Sequence, residues 1–547
     1  MTDGAGWETA GADITPDKEE AILATYSTPG VYINEVNAFP NSVVPIATAV
    51  PVFIGYTPRA DYEGKSYYNK PVRITSFAEY QAYFSLPSPP APADATRQYS
   101  PQYYLVAQDK EPEVGPHFGV GGKFYSVLPD PNTIYYMYNS IRLFYQNGGS
   151  DAWIISVGPY GPPSGKPLDD AKTPLVNANV KLADLQRALD LLKIELEPTI
   201  YVCPEATLLP AADNATLTQS MLLQAQELQT TVCLFDVING NQPDPIQYTQ
   251  DIEAFRNSTG THGLKYGICY YPFIGTTIMQ SGEIDFTNLF GGDIKQLAPL
   301  LDNPTSPNPV AAKIIDMIQN PPATPLTTSQ LHAALTNASK TYALIIKQVM
   351  NVANLLPPSG AMAGVYTVND NTAGVWNSPA NTSIVGAASL PIKLTDSQQA
   401  NLNVDAVSGK SINAIRFFNG QGILVWGART LDGNSLDWRY ISVRRTMIFL
   451  EQSVKLAARA YVFALNNANT WAAVKSMISS FLTDVWKQGG LLGAKPNDAF
   501  SVSVGLGTTM TAEDLLNGYM RVTVLVCVVR PAEFIEITFQ QQMAKSG

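Results

Sequence analysis

The sequence predicts an α/β and α+β multidomain protein: a central α/β layer domain, a C-terminal α+β domain, and a strand-donating arm at each terminus. Three observations predict it. Between about 140 and 275, segments of helical period alternate with apolar strand-like runs across short turns, a rhythm that calls for parallel strands with helical crossovers. Over the last 150 or so residues the pattern changes to strands separated by two long amphipathic helices. Two short alternating segments, 31–36 and 534–540, lie at the chain ends outside any obvious hairpin.

Taken in order, residues 1–25 are polar and rich in Gly, Thr and Asp, the composition of a flexible tail. Residues 26–40 form an N-terminal donor arm, where Pro29-Gly30 punctuates the chain and Val31, Ile33 and Glu35 alternate with Tyr32, Asn34 and Val36. Residues 41–139 make a β-rich outer region, with a buried strand in AVPVFIGYT at 49–57 and a break at PSPPAPA, 88–94. The α/β domain spans 140–385. It opens on SIRLFYQNGG, a helix ended by glycine, followed by the strand AWIISV; helices at 181–192, 217–229 and 249–256 then each lead into a strand. A Pro- and Asn-rich surface excursion occupies 275–340, a helix follows at 341–356, and PPSGAMAGVYTVNDNTAGVWNSPAN, 357–381, reads as a long loop.

The C-terminal domain covers 386–529. GILVWG, 422–427, is a strand, and 438–467 holds a long helix with the apolar stripe Met447, Leu450, Val454, Ala458, Tyr461 and Leu465. Beside that stripe runs a mostly basic one, Arg444, Glu451, Lys455 and Arg459. Asn469 is placed to cap a second helix with the face Trp471, Val474, Ile478, Phe481 and Val485, which Gly489-Gly490 stops. Strands at 499–504 and 519–530 follow, carrying Val502, Val504, Val522, Val524 and Val526. Residues 530–547 are the C-terminal arm, in which Phe534 and Ile535 lead into Ile537 and Phe539, alternating with Glu536, Thr538 and Gln540.

Hydrophobic residues make up 45% of the 547, so a large core is available. Charged residues are only 15%, against roughly 25% in ordinary soluble domains, so much of the surface is expected to meet protein. The net charge of −11, with no run of Lys or Arg, speaks against a nucleic-acid or anionic-lipid patch. No stretch approaches the ~20 apolar residues of a membrane helix, so direct membrane insertion is not expected. The first twenty residues lack the basic and apolar regions of a secretory signal, so synthesis and assembly are expected in the cytoplasm.

No catalytic constellation assembles, and no cofactor or metal is expected. His117, His262 and His332 are far apart in sequence, and there is no G-x-S-x-G elbow. Gly121-Gly122-Lys123 lacks the leading glycine of a phosphate loop, and Phe124 replaces its Ser or Thr. Prolines interrupt Gly158, Gly161 and Gly165, and Asp169-Asp170 reads as a solvated turn. Cys203, Cys233, Cys269 and Cys527 each sit in an apolar run without metal-ligand spacing and read as buried free thiols.

Several segments together resemble the contractile tail-sheath family of phage tails, R-type pyocins and contractile injection systems. Pro29, Gly30, Val31, Tyr32 and Glu35 match its N-terminal pattern, and PVFIGYT at 51–57 its next strand. FYQNGG at 144–149 is similar to its helix–glycine turn. PPSGAMAGVYTVNDNTAGVWNSPAN is the strongest block, and GILVWGARTL, WRYISVRR, FLTDVWKQGGLLG and PAEFIEITF follow in the family's order. The match fails over 58–135 and 275–340.

The resemblance implies hexameric rings stacked around an inner tube, arms that join a neighbour's sheet, and a metastable extended state that contracts. The implied partners are other copies of the chain, the inner tube protein, and baseplate and terminator or cap proteins. Elementary physics agrees on the arms: an alternating end segment needs a sheet, an exposed sheet edge needs a strand, and non-reciprocal exchange gives an open lattice. The donors would be Val31, Tyr32, Ile33, Glu35, Val36, Phe534, Ile535, Ile537 and Phe539, and the acceptors the valine-bearing strands at 499–504 and 519–530. Arg444, Lys455 and Arg459 are candidates to face the tube, the competing reading being a solvated helix face with Glu451 pairing Lys455. A non-contractile surface lattice or capsid, and an α/β hydrolase-like enzyme resting on 150–275, are the alternative functions.

Overall fold

A computed structural model describes residues 43–86, 100–242, 244, 246–302 and 307–538. The expected N-terminal tail and arm, the 88–94 break and Phe539 lie outside the described residues.

A nine-stranded sheet forms the main layer. In chain order its strands are β1 (Pro51–Gly55), β2 (Val72–Ile74), β6 (Ala152–Ser156), β7 (Ile200–Val202), β8 (Val232–Asp236), β9 (Gly267–Tyr271), β10 (Thr382–Ser383), β11 (Asn413–Phe418) and β12 (Gly422–Trp426). Across the sheet they run β10-β12-β11-β9-β8-β7-β1-β6-β2. The six from β11 to β6 are parallel to their neighbours, and β2, β12 and β10 close the edges antiparallel. β1, β8 and β9 are buried at every position, as expected of strands covered on both faces. The covering helices include α1 (Met137–Gln146), α2 (Leu182–Leu191), α3 (Ala211–Leu228) and α4 (Gln247–Ser258), whereas α5 (Lys340–Ala353) packs on the strands His117–Val120 and Lys123–Pro129 of a smaller sheet. The alternating pattern from 140 to 275 is therefore realised as read. β1 comes from the 41–139 stretch and β11 and β12 from the 386–529 stretch, so three sequence regions build one sheet.

A separate three-stranded antiparallel sheet, β3 (Tyr103–Gln108), β4 (His117–Val120) and β5 (Lys123–Pro129), follows the order β3-β5-β4. Gly121 and Gly122, both at positive φ, are the two-residue turn between Val120 and its partner Lys123. Their glycine content serves a tight hairpin.

Residues 357–381, read as a long loop, instead contain α6 (Ser359–Ala373). Two glycines four residues apart misled the reading, because glycine weakens a helix in isolation. Here they form the contact with α1. A Cβ on Gly360 would lie 2.6 Å from the Ser140 carbonyl oxygen, and one on Gly364 2.5 Å from that of Phe144. The helix start is fixed by Asp236, whose carboxylate accepts from the Ser359 backbone N–H at 2.9 Å and hydroxyl at 2.5 Å.

A second core lies between α7 (Ile441–Ala458) and α8 (Ala468–Lys487). Val474, Ile478, Phe481 and Val485 of α8 are buried there, as the helical spacing required. Two corrections apply. The first helix ends earlier than its stripe implied, leaving Leu465 76% exposed in the connection. The cap of α8 is Asn467, not Asn469: its side chain accepts from the Thr470 N–H at 3.1 Å.

Candidate functional site

β13 (Phe500–Val504) and β14 (Val522–Val526) form a two-stranded antiparallel sheet. Alternation sets its two faces. Val502, Val524 and Val526 turn toward α8 and join the second core, with Val522 beside them and Val504 half-buried. Ser501, Thr523 and Leu525 face outward, and Cys527 continues that face. Cys203, Cys233 and Cys269 are buried, but Cys527 is exposed, which corrects the reading of four buried thiols. Neither strand has a second ladder partner among the described residues, so each offers an unpaired edge. The valines named as acceptors fasten the sheet to its own subunit, and what its edges leave unpaired is backbone N–H and C=O.

The chain leaves β14, makes one last pairing at Val528 with Leu491, and enters a C-terminal segment that forms neither helix nor strand. Phe534, Ile535 and Ile537 are 75%, 79% and 71% exposed, with no strand beside them among the described residues. Large apolar side chains held in water are the feature that interaction surfaces share. The root of the segment is fixed. Both Glu533 oxygens receive Arg429, Nε to Oε1 at 2.9 Å and Nη2 to Oε2 at 2.7 Å. Asn403 Nδ2 donates to Oε1 at 2.6 Å, and the Tyr440 hydroxyl to Oε2 at 3.0 Å. Burial raises the Glu533 carboxyl, but the bonds from Arg429 and Asn403 outweigh it and hold the group below its ordinary range.

The proposed tube-facing stripe does not survive intact. Arg444 is 2% exposed, its guanidinium stacked 4.5 Å from the Trp438 ring centroid and 5.0 Å from that of Tyr266. It pairs with Glu451 at 3.0 Å, two helical turns away, so the Glu451–Lys455 pair of the competing reading is not the one formed. Arg444 lies on the helix face that meets aromatic rings of the main layer, and its planar cation packs where a hydrophobe would. Lys455 and Arg459 are exposed near the end of α7.

The two cores are tied by residues the pattern reading passed over. Arg445 of α7 forms a two-pronged pair with Asp370 of α6, Nη1–Oδ1 at 2.9 Å and Nη2–Oδ2 at 2.6 Å, both side chains 3% exposed. Thr48 joins it, its hydroxyl donating to Asp370 at 2.6 Å and its carbonyl accepting from Arg445 at 3.0 Å. Glu533, Arg429, Asp370 and Arg445 all sit in or beside the quoted motif blocks. Their types in those blocks were the only available signal.

A cavity of about 720 Å³ is lined by tyrosines including Tyr103, Tyr135, Tyr136 and Tyr138. Its charged lining residues, Arg142 and Glu283, pair with each other at 2.8 Å, so it presents no free acid–base couple. Among the described residues no group of His, Cys, Asp and Glu could hold a metal ion.

Residues 434–542 match the family model described as the phage tail sheath C-terminal domain, and 310–431 match the phage tail sheath protein central domain. The chain is 30% identical over 139 residues to the tail sheath protein of Vibrio phage KVP40, covering 25% of this chain and 20% of that protein. It is 26% identical over 165 residues to the tail sheath protein of Enterobacteria phage T4, covering 28% of this chain and 24% of that one. The matched stretches thus span a quarter or less of those relatives' lengths. Among solved structures, the helical sheath of the anti-feeding prophage in its contracted state is similar with a TM-score of 0.56 and 25% identity, over 94% of this chain and all of that one. A chain of the anti-feeding prophage baseplate is similar with a TM-score of 0.54 and 26% identity, over 95% of this chain and all of that one.

Proposed function

Because the chain belongs to the contractile tail-sheath family, we propose that it polymerises as stacked hexameric rings around an inner tube and shortens to drive that tube forward. As a structural sheath subunit it works through packing, and its relatives are structural proteins. The observation that carries the reading is the coexistence, in one chain, of an unpaired two-stranded sheet and an exposed alternating C-terminal segment. Each supplies what the other lacks. Donation of the segment to the sheet of another copy satisfies both, and because donor and acceptor patches differ, the contact repeats head to tail into an open lattice. Val31, Tyr32, Ile33, Glu35 and Val36 act as the second donor at the opposite end of the chain. Lys455 and Arg459 remain the candidates to meet the tube, where charge steers register without the apolar burial that would resist release. Baseplate and terminator proteins bound the assembly. Contraction runs on free energy stored at assembly, the extended lattice being a kinetically trapped state.

The test is truncation. A chain ending at residue 533 loses, among the described residues, only exposed side chains and keeps the Glu533 anchor, so it should stay folded by circular dichroism and stay dispersed by electron microscopy. Tubes of normal length from the truncated chain would refute strand donation.

A further inference from the structure

A donor segment has a competitor that is always present, namely its own subunit. Val526 ends β14 and the exposed segment begins at Phe534, so seven residues separate the donor from an acceptor edge of the same chain. Seven residues suffice for a hairpin loop. A tether this short places the segment near its own sheet at an effective concentration in the millimolar range, about 10³-fold above a subunit pool at micromolar concentration. Without a restraint, self-pairing would precede donation.

We infer that Glu533 is that restraint: its clamp to Arg429 pins the base of the segment to the main layer and so reserves the segment for a second copy of the chain. The proposal rests on the strand-donation reading. The connecting residues are held at several points. Val528 pairs with Leu491, Arg530 lies 3.9 Å from Asp437, and the Glu533 carboxylate is gripped by Arg429, Asn403 and Tyr440. The grip belongs to the frame of the nine-stranded sheet. The Arg429 N–H donates to Asn413 Oδ1 of β11 at 2.8 Å, and its Nη1 to the Gly433 carbonyl at 3.2 Å. With their last member tied there, residues 527–533 cannot form a hairpin loop, and 534–538 stand unpaired, as observed. The side chains on either side divide the labour: Glu533 faces inward, and the large apolar groups that follow face out.

Crosslinking by origin tests this in the full-length chain. C527S removes the exposed native thiol. I537C is then combined in separate chains with T523C or S501C, one cysteine on the donor and one on either acceptor strand. Isotopically light and heavy copies are mixed before assembly, and the crosslinked peptides are weighed. With Glu533 present, the crosslinks should join light to heavy in statistical proportion, because they form between copies. In E533Q the same-copy crosslinks should rise and the mixed ones fall at least tenfold. Arg429 left without its partner can impair folding, so R429M/E533L, which removes both charges, is run in parallel and should give the same shift. Equal mixed fractions with and without the clamp overturn the restraint while leaving donation standing. No mixed crosslinks with Glu533 present would overturn donation itself, and the restraint with it.

Discussion

Under the proposed strand donation a subunit must not yield between its two cores, and the Arg445–Asp370 pair is where that demand can be measured. The perturbation is D370N. It keeps size and shape, so Thr48 and Arg445 retain a hydrogen-bonding neighbour, but the guanidinium is left without a counter-charge at 3% exposure. Burial lowers the Arg445 pKa and the Asp370 carboxylate raises it, the second effect prevailing, so the cation depends on its partner. Breaking one side of such a buried pair costs about 3–5 kcal/mol, a large share of the roughly 5–15 kcal/mol that holds a domain folded. The loss should be local as well as global. Hydrogen exchange should speed up in α7 and in residues 43–50, which Thr48 ties to the pair. The core of β1, β8 and β9 should change less. The double variant D370L/R445M removes both charges and should recover most of the loss, because no ion is then stranded. The assay is urea unfolding of the dispersed subunit, with exchange read by mass spectrometry. A D370N cost under about 1 kcal/mol, or a double variant no better than the single one, would refute the reasoning that this pair joins the cores.

Two further outcomes are expected. Glu205 is fully buried, with one carboxylate oxygen unpartnered and the other accepting from the Met137 N–H at 3.1 Å, and burial pushes its pKa from 4.5 to about 8. A raised carboxyl pKa gives stability that is fully present below pH 4.5 and lost as pH rises through 8. Unfolding titrations should show a few kcal/mol lost between about pH 6 and 9 from this group, and E205Q should flatten that slope, leaving the part due to Asp236, whose pKa is raised to about 7. An unchanged slope in E205Q would assign the pH dependence elsewhere. Gly364→Ala should destabilise by about 1–3 kcal/mol although alanine favours helix by ~1 kcal/mol, because its Cβ would sit 2.5 Å from the Phe144 carbonyl oxygen; a more stable variant by thermal unfolding would mean that α1 gives way.

The layer from 140 to 275 was legible because period alone specifies it: buried parallel strands are apolar throughout, and crossover helices keep one apolar face. The α6 segment was not, because its glycines encode a close helix contact that only the partner, α1, makes intelligible. Sheet membership was illegible for the same reason. Nothing in PVFIG announces that it will lie between β6 and β7, whose residues are about 100 and 150 positions away. In the candidate site the division is sharper still. Alternation singled out Ile535 and Ile537 as one face of a segment in search of a sheet, and both are exposed, because the pattern is a property of the segment itself. It passed over Glu533, which looks like one more polar residue until Arg429, 104 positions earlier in the sequence, comes within 2.7 Å.

The charge content admits a firmer reading with the structure in place. At 15% charged, the sequence already pointed to a surface that meets protein. Arg256, Arg416, Arg429, Arg444 and Arg445 are all buried, so part of that small complement never reaches the surface. Arg429 and Arg445 hold two-pronged carboxylate pairs, Arg256 donates to the carbonyls of Lys410, Asn401 and Leu402, and Arg444 stacks on two rings. A planar guanidinium suits such positions, because its fixed donors tie elements distant in sequence while its faces pack against aromatic rings. The charge that a monomer would spend on staying apart is here spent on internal rigidity. What remains outside is a surface sparse in charged groups and carrying exposed Leu465, Leu525, Phe534, Ile535 and Ile537. A subunit built to be stiff inside and weakly charged outside is suited to a lattice whose members move as bodies and exchange contacts with one another.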